Sequence, residues 1–273
     1  MTLSPNLSPD CGNCFALCCT ALGFARSSDF AIDKPAASPC PNMAEDFSCA
    51  IHQRLRPRGF RGCTVFDCFG AGQVVSQHIF SGTSWTQDPS SKASMFAVFK
   101  VVRQLHEMLW YLTEARDRTF DPDLAAAADQ LYAGIAATAQ GDASAVLAAD
   151  VEILHGKVRA LLMEVSEEAR ASFGAEDTLR HDGGLGAGSD LMGANLANRR
   201  LCGSDLRGAY LIGVNLKNSD LTAVDLLGAD LRGAQLHNAD LSKALYLTQP
   251  QINAAEGDPK TLLPPRITKP DHW

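Results

Sequence analysis

The stretch SDLMGANLANRRLCGSDLRGAYLIGVNLKNSDLTAVDLLGADLRGAQLHNADLSKALYLT, residues 189–248, decides how this chain folds. Leucine returns every five residues, at Leu191, Leu196, Leu201, Leu206, Leu211, Leu216, Leu221, Leu226, Leu231, Leu236 and Leu241, and Tyr246 takes the next place. Asp or Asn usually precedes each leucine, and a small residue such as Ser189, Ala194 or Ala209 stands one place earlier. Two places after the leucine, nine of eleven positions are Gly or Asn, from Gly193 to Asn238. A helix repeats every 3.6 residues and a strand every 2, so a period of five suits neither. The backbone must turn once per unit. Gly and Asn tolerate the angles such a turn demands. One leucine and one small residue per turn fill a narrow interior.

Written as Ala-Asp-Leu-Arg-Gly-like units, this pattern resembles the pentapeptide-repeat family. The resemblance implies a right-handed quadrilateral β-helix with four units per coil, hence about three coils over residues 189–248. Leucine and the small residue would point inward and the other three outward. Arg199 occupies an inward slot next to Arg200, so a bulged or disordered corner is expected there. Stacking by four puts Met192, Tyr210 and Ile212 on one face and Leu227, Leu245 and Leu247 on its neighbour. The other two faces are polar, one with an Asn195, Asn215, Gln235 ladder. An apolar strip over two adjacent faces is expected to be covered, here by the helical segment. The alternative is that scattered surface apolar side chains need no cover. Cys202 falls at an outward position and reads as incidental.

Outward from the repeat, residues 249–273 read as a cap and tail, since a solenoid end exposes backbone. Residues 174–188, rich in Gly and Ala, read as a linker. Residues 91–173 read as helical. Met95, Phe96, Val98, Phe99, Val102, Leu105, Met108, Leu109 and Leu112 recur at three- and four-residue spacing, Asp121-Pro122 marks a second start, and Asp142 a third. Three antiparallel helices are expected. Residues 8–90 form a Cys-, Gly- and Pro-rich module. The fold class is therefore α+β and multidomain.

That module holds eight of the nine cysteines: Cys11, Cys14, Cys18, Cys19, Cys40, Cys49, Cys63 and Cys68. No basic region followed by an apolar core opens the sequence, so a cytoplasmic location is expected. In a reducing compartment, dense thiols read as a metal site before they read as disulfides. Eight thiols suit two four-coordinate zinc sites, or an iron–sulfur cluster with spare thiols. His52 is a candidate replacement for one sulfur. Arg54, Arg56, Arg58 and Arg61 either offset thiolate charge or form a solvated face. The run Cys11-Gly-Asn-Cys14-Phe-Ala-Leu-Cys18-Cys19, with the later Cys49-Ala-Ile51-His52 and Arg56-Pro57, resembles a family of Cys-rich zinc- or iron-chelating proteins. Its first spacing is one residue longer here, His52 replaces a tyrosine, and one residue is inserted before Arg56-Pro57.

The formal net charge of -7 sits almost wholly in residues 71–188. In the repeat, Asp190, Asp205, Asp220, Asp225, Asp230 and Asp240 are balanced by Arg199, Arg200, Arg207, Lys217, Arg232 and Lys243. No region is basic enough to bind a duplex directly, and no segment suits a membrane span. Gly70-Ala-Gly72 lacks the context of a dinucleotide loop. His106-Glu107 lacks a second histidine one turn on, and no catalytic triad or acid/base pair stands out. The sequence therefore reads as a non-enzymatic scaffold that binds an unidentified protein partner and carries zinc or iron at its N-terminal module. An iron–sulfur redox or metal-handling protein is the alternative. Some pentapeptide-repeat proteins act on DNA gyrase by imitating DNA; the short, neutral repeat argues against that reading.

Overall fold

The computed structural model describes residues 5–173 and 184–273. Most of the expected linker, residues 174–183, lies outside the described residues. The chain divides into two compact units: Met1–Arg116 with Ala125–Leu161, and Asp117–Leu124 with Leu162–Trp273.

In the first unit the Cys-rich segment contributes short elements: α1 (Leu17–Ala21), α2 (Arg61–Val65) and α3 (Ala71–Gln73), which runs on into a π-helical turn at Val74–Ile79. The long α4 (Lys92–Arg118) supplies the main core stripe. Met95, Val98, Phe99 and Val102 are fully buried and meet Leu17, Ala21, Ala71, Val75 and Trp85 from the Cys-rich segment. Each such side chain contributes about 1.5–3 kcal/mol on burial. Trp85 also anchors the N-terminal loop, its Nε1 donating to the Phe15 carbonyl at 2.9 Å.

The remaining helices are α5 (Pro122–Ala139), α6 (Ala143–Leu147) and α7 (Val151–Ala171). Pro122 starts α5 where its missing N–H costs nothing, and Asp121 Oδ1 accepts from the Asp123 amide at 2.8 Å. The single helix expected from Asp142 onward is in fact two. Asp142 Oδ1 caps α6 through the Ala145 amide at 2.8 Å, and Asp150 Oδ1 caps α7 through the Ile153 amide at 3.0 Å. A second aspartate offering a cap restarts the helix and defeats apolar periodicity.

The second unit is dominated by the repeat. Single-residue parallel bridges join residues twenty apart: Asp190 to Tyr210, Asn195 to Asn215, Arg200 to Asp220, Asp205 to Asp225, Tyr210 to Asp230. The chain thus comes back alongside itself every four units. Among the described residues of the repeat no extended strand forms, and the pairing is by single-residue bridges. In ten of the units the leucine carbonyl accepts from the amide three residues on, as from Ala194 to Leu191 at 3.1 Å. The third turn residue has positive φ, +66° at Gly193 and 60° at Asn198. Only two residues per unit are left free to run straight, enough for one bridge.

The aspartates before the leucines have a local role. Asp220 Oδ1 accepts from the Thr222 amide at 2.9 Å, and Asp225, Asp230 and Asp240 repeat the contact. This side-chain turn bends each corner. Asn198, Asn218 and Asn238 stack along one corner, linked side chain to side chain at 3.0 and 2.9 Å. Leu201 through Leu241 are all buried to 1% exposure or less, forming the axial core.

Arg199 does not produce the expected bulge. Its carbonyl still accepts from the Asp220 amide at 3.0 Å, so the ladder is unbroken, and its side chain is exposed. In this first coil the inward slots are stacked from one side only, as the half-buried Leu191 and Leu196 show. A long side chain can leave there. Cys202, at an outward position of the repeat, is buried.

The C-terminal segment continues the ladder. The Leu236 amide donates to Glu256 at 2.7 Å and the Leu241 amide to Leu262 at 2.9 Å. Between them, α8 (Gln249–Ala254) places the Gln251 Nε2 on the Leu226 and Ala229 carbonyls. These contacts satisfy the backbone of the last coil.

Part of the expected covering of the coil is present. Within the second unit, residues of α7 lie on the face built by Asp205, Asp225 and Leu245. Ser166 Oγ donates to Asp225 Oδ2 at 2.5 Å, and Tyr246 OH donates to the Leu162 carbonyl at 3.0 Å. Leu245 and Leu247 are buried, but Met192 and Tyr210 on the neighbouring face are 56% and 52% exposed.

Candidate functional site

The eight N-terminal thiols gather in two neighbourhoods. Cys11 lies in a 3-10 turn (Cys11–Asn13) whose chain then reverses through Ala16, at φ 52°, into α1. That reversal brings the Leu17 amide to Cys14 Sγ at 3.5 Å. Cys11, Cys14, Cys18 and Cys68 line one small cavity with Asp10, Gly72, Gln73 and Phe99. Gly72 sits between two of them: a Cβ added there would lie 2.7 Å from Cys14 Sγ and 3.9 Å from Cys68 Sγ. Cys14, Cys18 and Cys68 also pack on the main core with α4.

Cys19 follows Cys18 on α1, about 100° around the helix, and faces the other group. The Cys40 amide donates to the Cys19 carbonyl at 3.1 Å. Cys49 is fixed by a bridge to Met43, and Cys63 lies on α2. Cys49 and Cys63 pack on a second, smaller core of Ile51, Leu55 and Phe60. Cys63 is in electrostatic reach of Cys19, Cys40, Cys49 and Lys34. The buried Lys34 donates through Nζ to the Thr20, Pro35 and Ser38 carbonyls at 3.4, 3.1 and 2.8 Å.

Burial pushes the thiols of Cys11, Cys49 and Cys68 up, that of Cys14 to about 11 and that of Cys63 to about 12. Cys18 and Cys19 stand at 3.8 Å across the boundary between the groups. The hydrogen bond between them, in which either sulfur can be the donor, holds Cys18 well above the ordinary thiol range and brings Cys19 down to about 7, helped by Lys34.

Among the described residues no three His, Cys, Asp or Glu side chains converge, as they stand, on a point that holds a metal ion. His52 is exposed on its 3-10 turn. Arg54 and Arg58 are exposed too. A cation beside the thiols that sequence reading did not single out is Lys34. It lies within the same antiparallel bridge as Phe24, a tertiary placement that no motif announces. His106 was also missed as a core residue: it is fully buried on α4, with Nδ1 2.6 Å from the Phe69 carbonyl, and burial lowers its pKa. No helix among the described residues is long and apolar enough to cross a membrane.

Comparison with known proteins matches the pentapeptide-repeat family model, in eight copies, over residues 189–226 and 211–245. The uncharacterised protein YybG of Bacillus subtilis (strain 168) is 44% identical over 268 residues, covering 98% of this chain and 95% of YybG. Among solved structures, a pentapeptide-repeat protein of the cyanobacterium Cyanothece 51142 is 32% identical over 28% of this chain and 54% of its own, with a TM-score of 0.22. One from Nostoc PCC 7120 is 31% identical over 34% of this chain and 84% of its own, with a TM-score of 0.19. The resemblance of the Cys-rich segment to zinc- or iron-chelating proteins finds no counterpart in these matches.

Proposed function

The chain belongs to one family with B. subtilis YybG and carries pentapeptide repeats, and from that premise we propose a non-enzymatic scaffold that binds a protein partner on its repeat. The repeat is a right-handed quadrilateral β-helix in this reading, and the Cys-rich module binds zinc or, alternatively, iron. The observation that carries the scaffold role is the stacking of outward side chains at twenty-residue intervals on a frame whose core is sealed. Solenoids of this kind present extended surfaces suited to macromolecules. Met192 and Tyr210 remain exposed on one such surface, and an aromatic on a rigid frame is a favoured anchor.

The test is site-specific photocrosslinking from position 210 in cells, with a control position at Lys217 on a polar face. A single protein captured at 210, absent at 217 and lost in Met192→Ser, supports the scaffold. Equal, diffuse capture at both positions refutes it. An iron–sulfur redox role is the second reading for the module; visible colour with acid-labile sulfide would favour it, since zinc is colourless.

A further inference from the structure

We propose that the eight thiols form two separate four-sulfur metal sites, Cys11, Cys14, Cys18 and Cys68 in one and Cys19, Cys40, Cys49 and Cys63 in the other, divided at the Cys18–Cys19 peptide bond. This rests on the metal-binding reading above and goes further by assigning every ligand. Three independent placements carry it.

The first is cavity and core. Four thiols line a single cavity and no thiol of the second set does. Three of those four pack on the main core, whereas Cys49 and Cys63 pack on the small core of Ile51, Leu55 and Phe60. Each core thus holds part of one set, three sulfurs on the first and two on the second, and the adjacent Cys18 and Cys19 on α1 are assigned one to each because successive side chains diverge around a helix.

The second is the backbone around the sulfurs. The Leu17 amide points at Cys14 Sγ at 3.5 Å. N–H groups aimed at sulfur stabilise a thiolate, and such supporting donors orient metal ligands. Gly72 leaves open the space between Cys14 and Cys68 that any side chain would fill. As they stand no three donors among the described residues converge on one ion, so metal binding requires each set to close by rotation about χ1 between staggered wells.

The third is charge. A tetrahedral divalent ion with four thiolates carries a charge of about -2. Lys34 lies beside the second set, fixed by three carbonyls, while Asp10 lies beside the first. The two sites are therefore unequal, the second being electrostatically favoured. Zinc is the ion class that four sulfurs in tetrahedral array select, with ferrous iron the competitor.

The test uses the full-length chain purified without oxygen, with bound zinc and iron counted by elemental analysis. After chelation, cobalt(II) is titrated in as a chromophoric probe for thiolate ligation. Two equivalents per chain are expected, filled in two steps. Cys14→Ser should remove one and Cys63→Ser the other, each leaving its partner site spectroscopically intact. Where a serine variant does not fold, Gly72→Ala and Lys34→Met serve instead: the first should weaken only one step by tenfold or more, the second only the other. One equivalent in the wild type, or loss of both equivalents from either variant with the fold preserved by circular dichroism, overturns the two-site partition and leaves metal binding standing. A single cluster with labile sulfide does the same. Failure to retain or take up any metal overturns both readings together.

Discussion

Asp225 carries the most consequential single charge in the second unit. It is wholly buried, with Ser166 Oγ, the Leu227 amide and the Arg207 guanidinium around it, the last at 3.6 Å. Asp205 and Arg170 stand just beyond, 3.7 Å apart. Burial outweighs these donors and raises the Asp225 carboxyl to about 6. A carboxyl raised in the folded state favours folding while it is protonated. That contribution is complete below the unfolded value near 4 and is lost as pH rises through 6. From pH 4.5 to 7.5 the loss amounts to about 2 kcal/mol at this group. Asp225→Asn keeps the shape without the charge, so its stability relative to wild type should improve by about that amount over the same pH interval. Urea unfolding of both proteins at the two pH values measures it. An unchanged difference would mean that Arg207 already neutralises the buried charge. Neither Asp225 nor Ser166 was visible as special in the sequence: one is an ordinary repeat aspartate, the other a helix serine, and only their meeting across 59 residues sets them apart.

At the scale of the element, the coil separates two kinds of requirement that the repeat writes side by side. Leucine is required for the interior, and Gly or Asn for the corner. Leu211 is fully buried in the middle of the stack, so Leu211→Ala should cost about 2–5 kcal/mol through lost burial and the cavity left behind. Gly213 faces open space but sits at φ +64°. Gly213→Ala therefore creates no clash and should cost about 1–2 kcal/mol from backbone conformation alone. The distinction is visible in the variants themselves: Gly213→Asn should recover most of the loss, as Asn218 and Asn238 occupy equivalent corners, whereas no residue smaller than leucine should rescue position 211. If Gly213→Ala matched Leu211→Ala in cost, the corner would be constrained by something other than φ. Thermal unfolding of the four proteins decides this. The repeat was legible because its causes are local, each five-residue unit holding its own turn, bend and core residue. The break between α6 and α7 was not, because apolar spacing runs on through Ala148, Ala149 and Asp150 and only the Asp150 cap interrupts it.

For the whole molecule, the two compact units are stabilised by different means, and the contrast explains what sequence could reach. The second unit has a periodic core that can be counted residue by residue. In the first, the long stripe of α4 was equally plain, but the grouping of eight thiols depends on where the loops between Cys11 and Cys68 return in space. Cysteine count gave the number of sulfurs, not their grouping or the presence of Lys34. The loops from Phe24 to Cys63 pack on a small core of Ile51, Leu55 and Phe60, and under the metal-binding proposal the metal adds folding free energy to this segment. Stripping metal from the intact chain with a strong chelator under reducing conditions should therefore raise amide exchange sharply over residues 24–66. Exchange at Leu201, Leu211 and Leu221, whose amides donate to Asp220, Asp230 and Asp240 at 2.9 Å, should change less than twofold. Re-addition of zinc should restore the protection, while magnesium, which prefers oxygen ligands, should not. Hydrogen exchange read by mass spectrometry gives both regions in one experiment. Full protection of residues 24–66 in metal-free protein would show that hydrogen bonds such as those from Lys34 suffice, and the metal would then be a ligand of this module and not part of its fold.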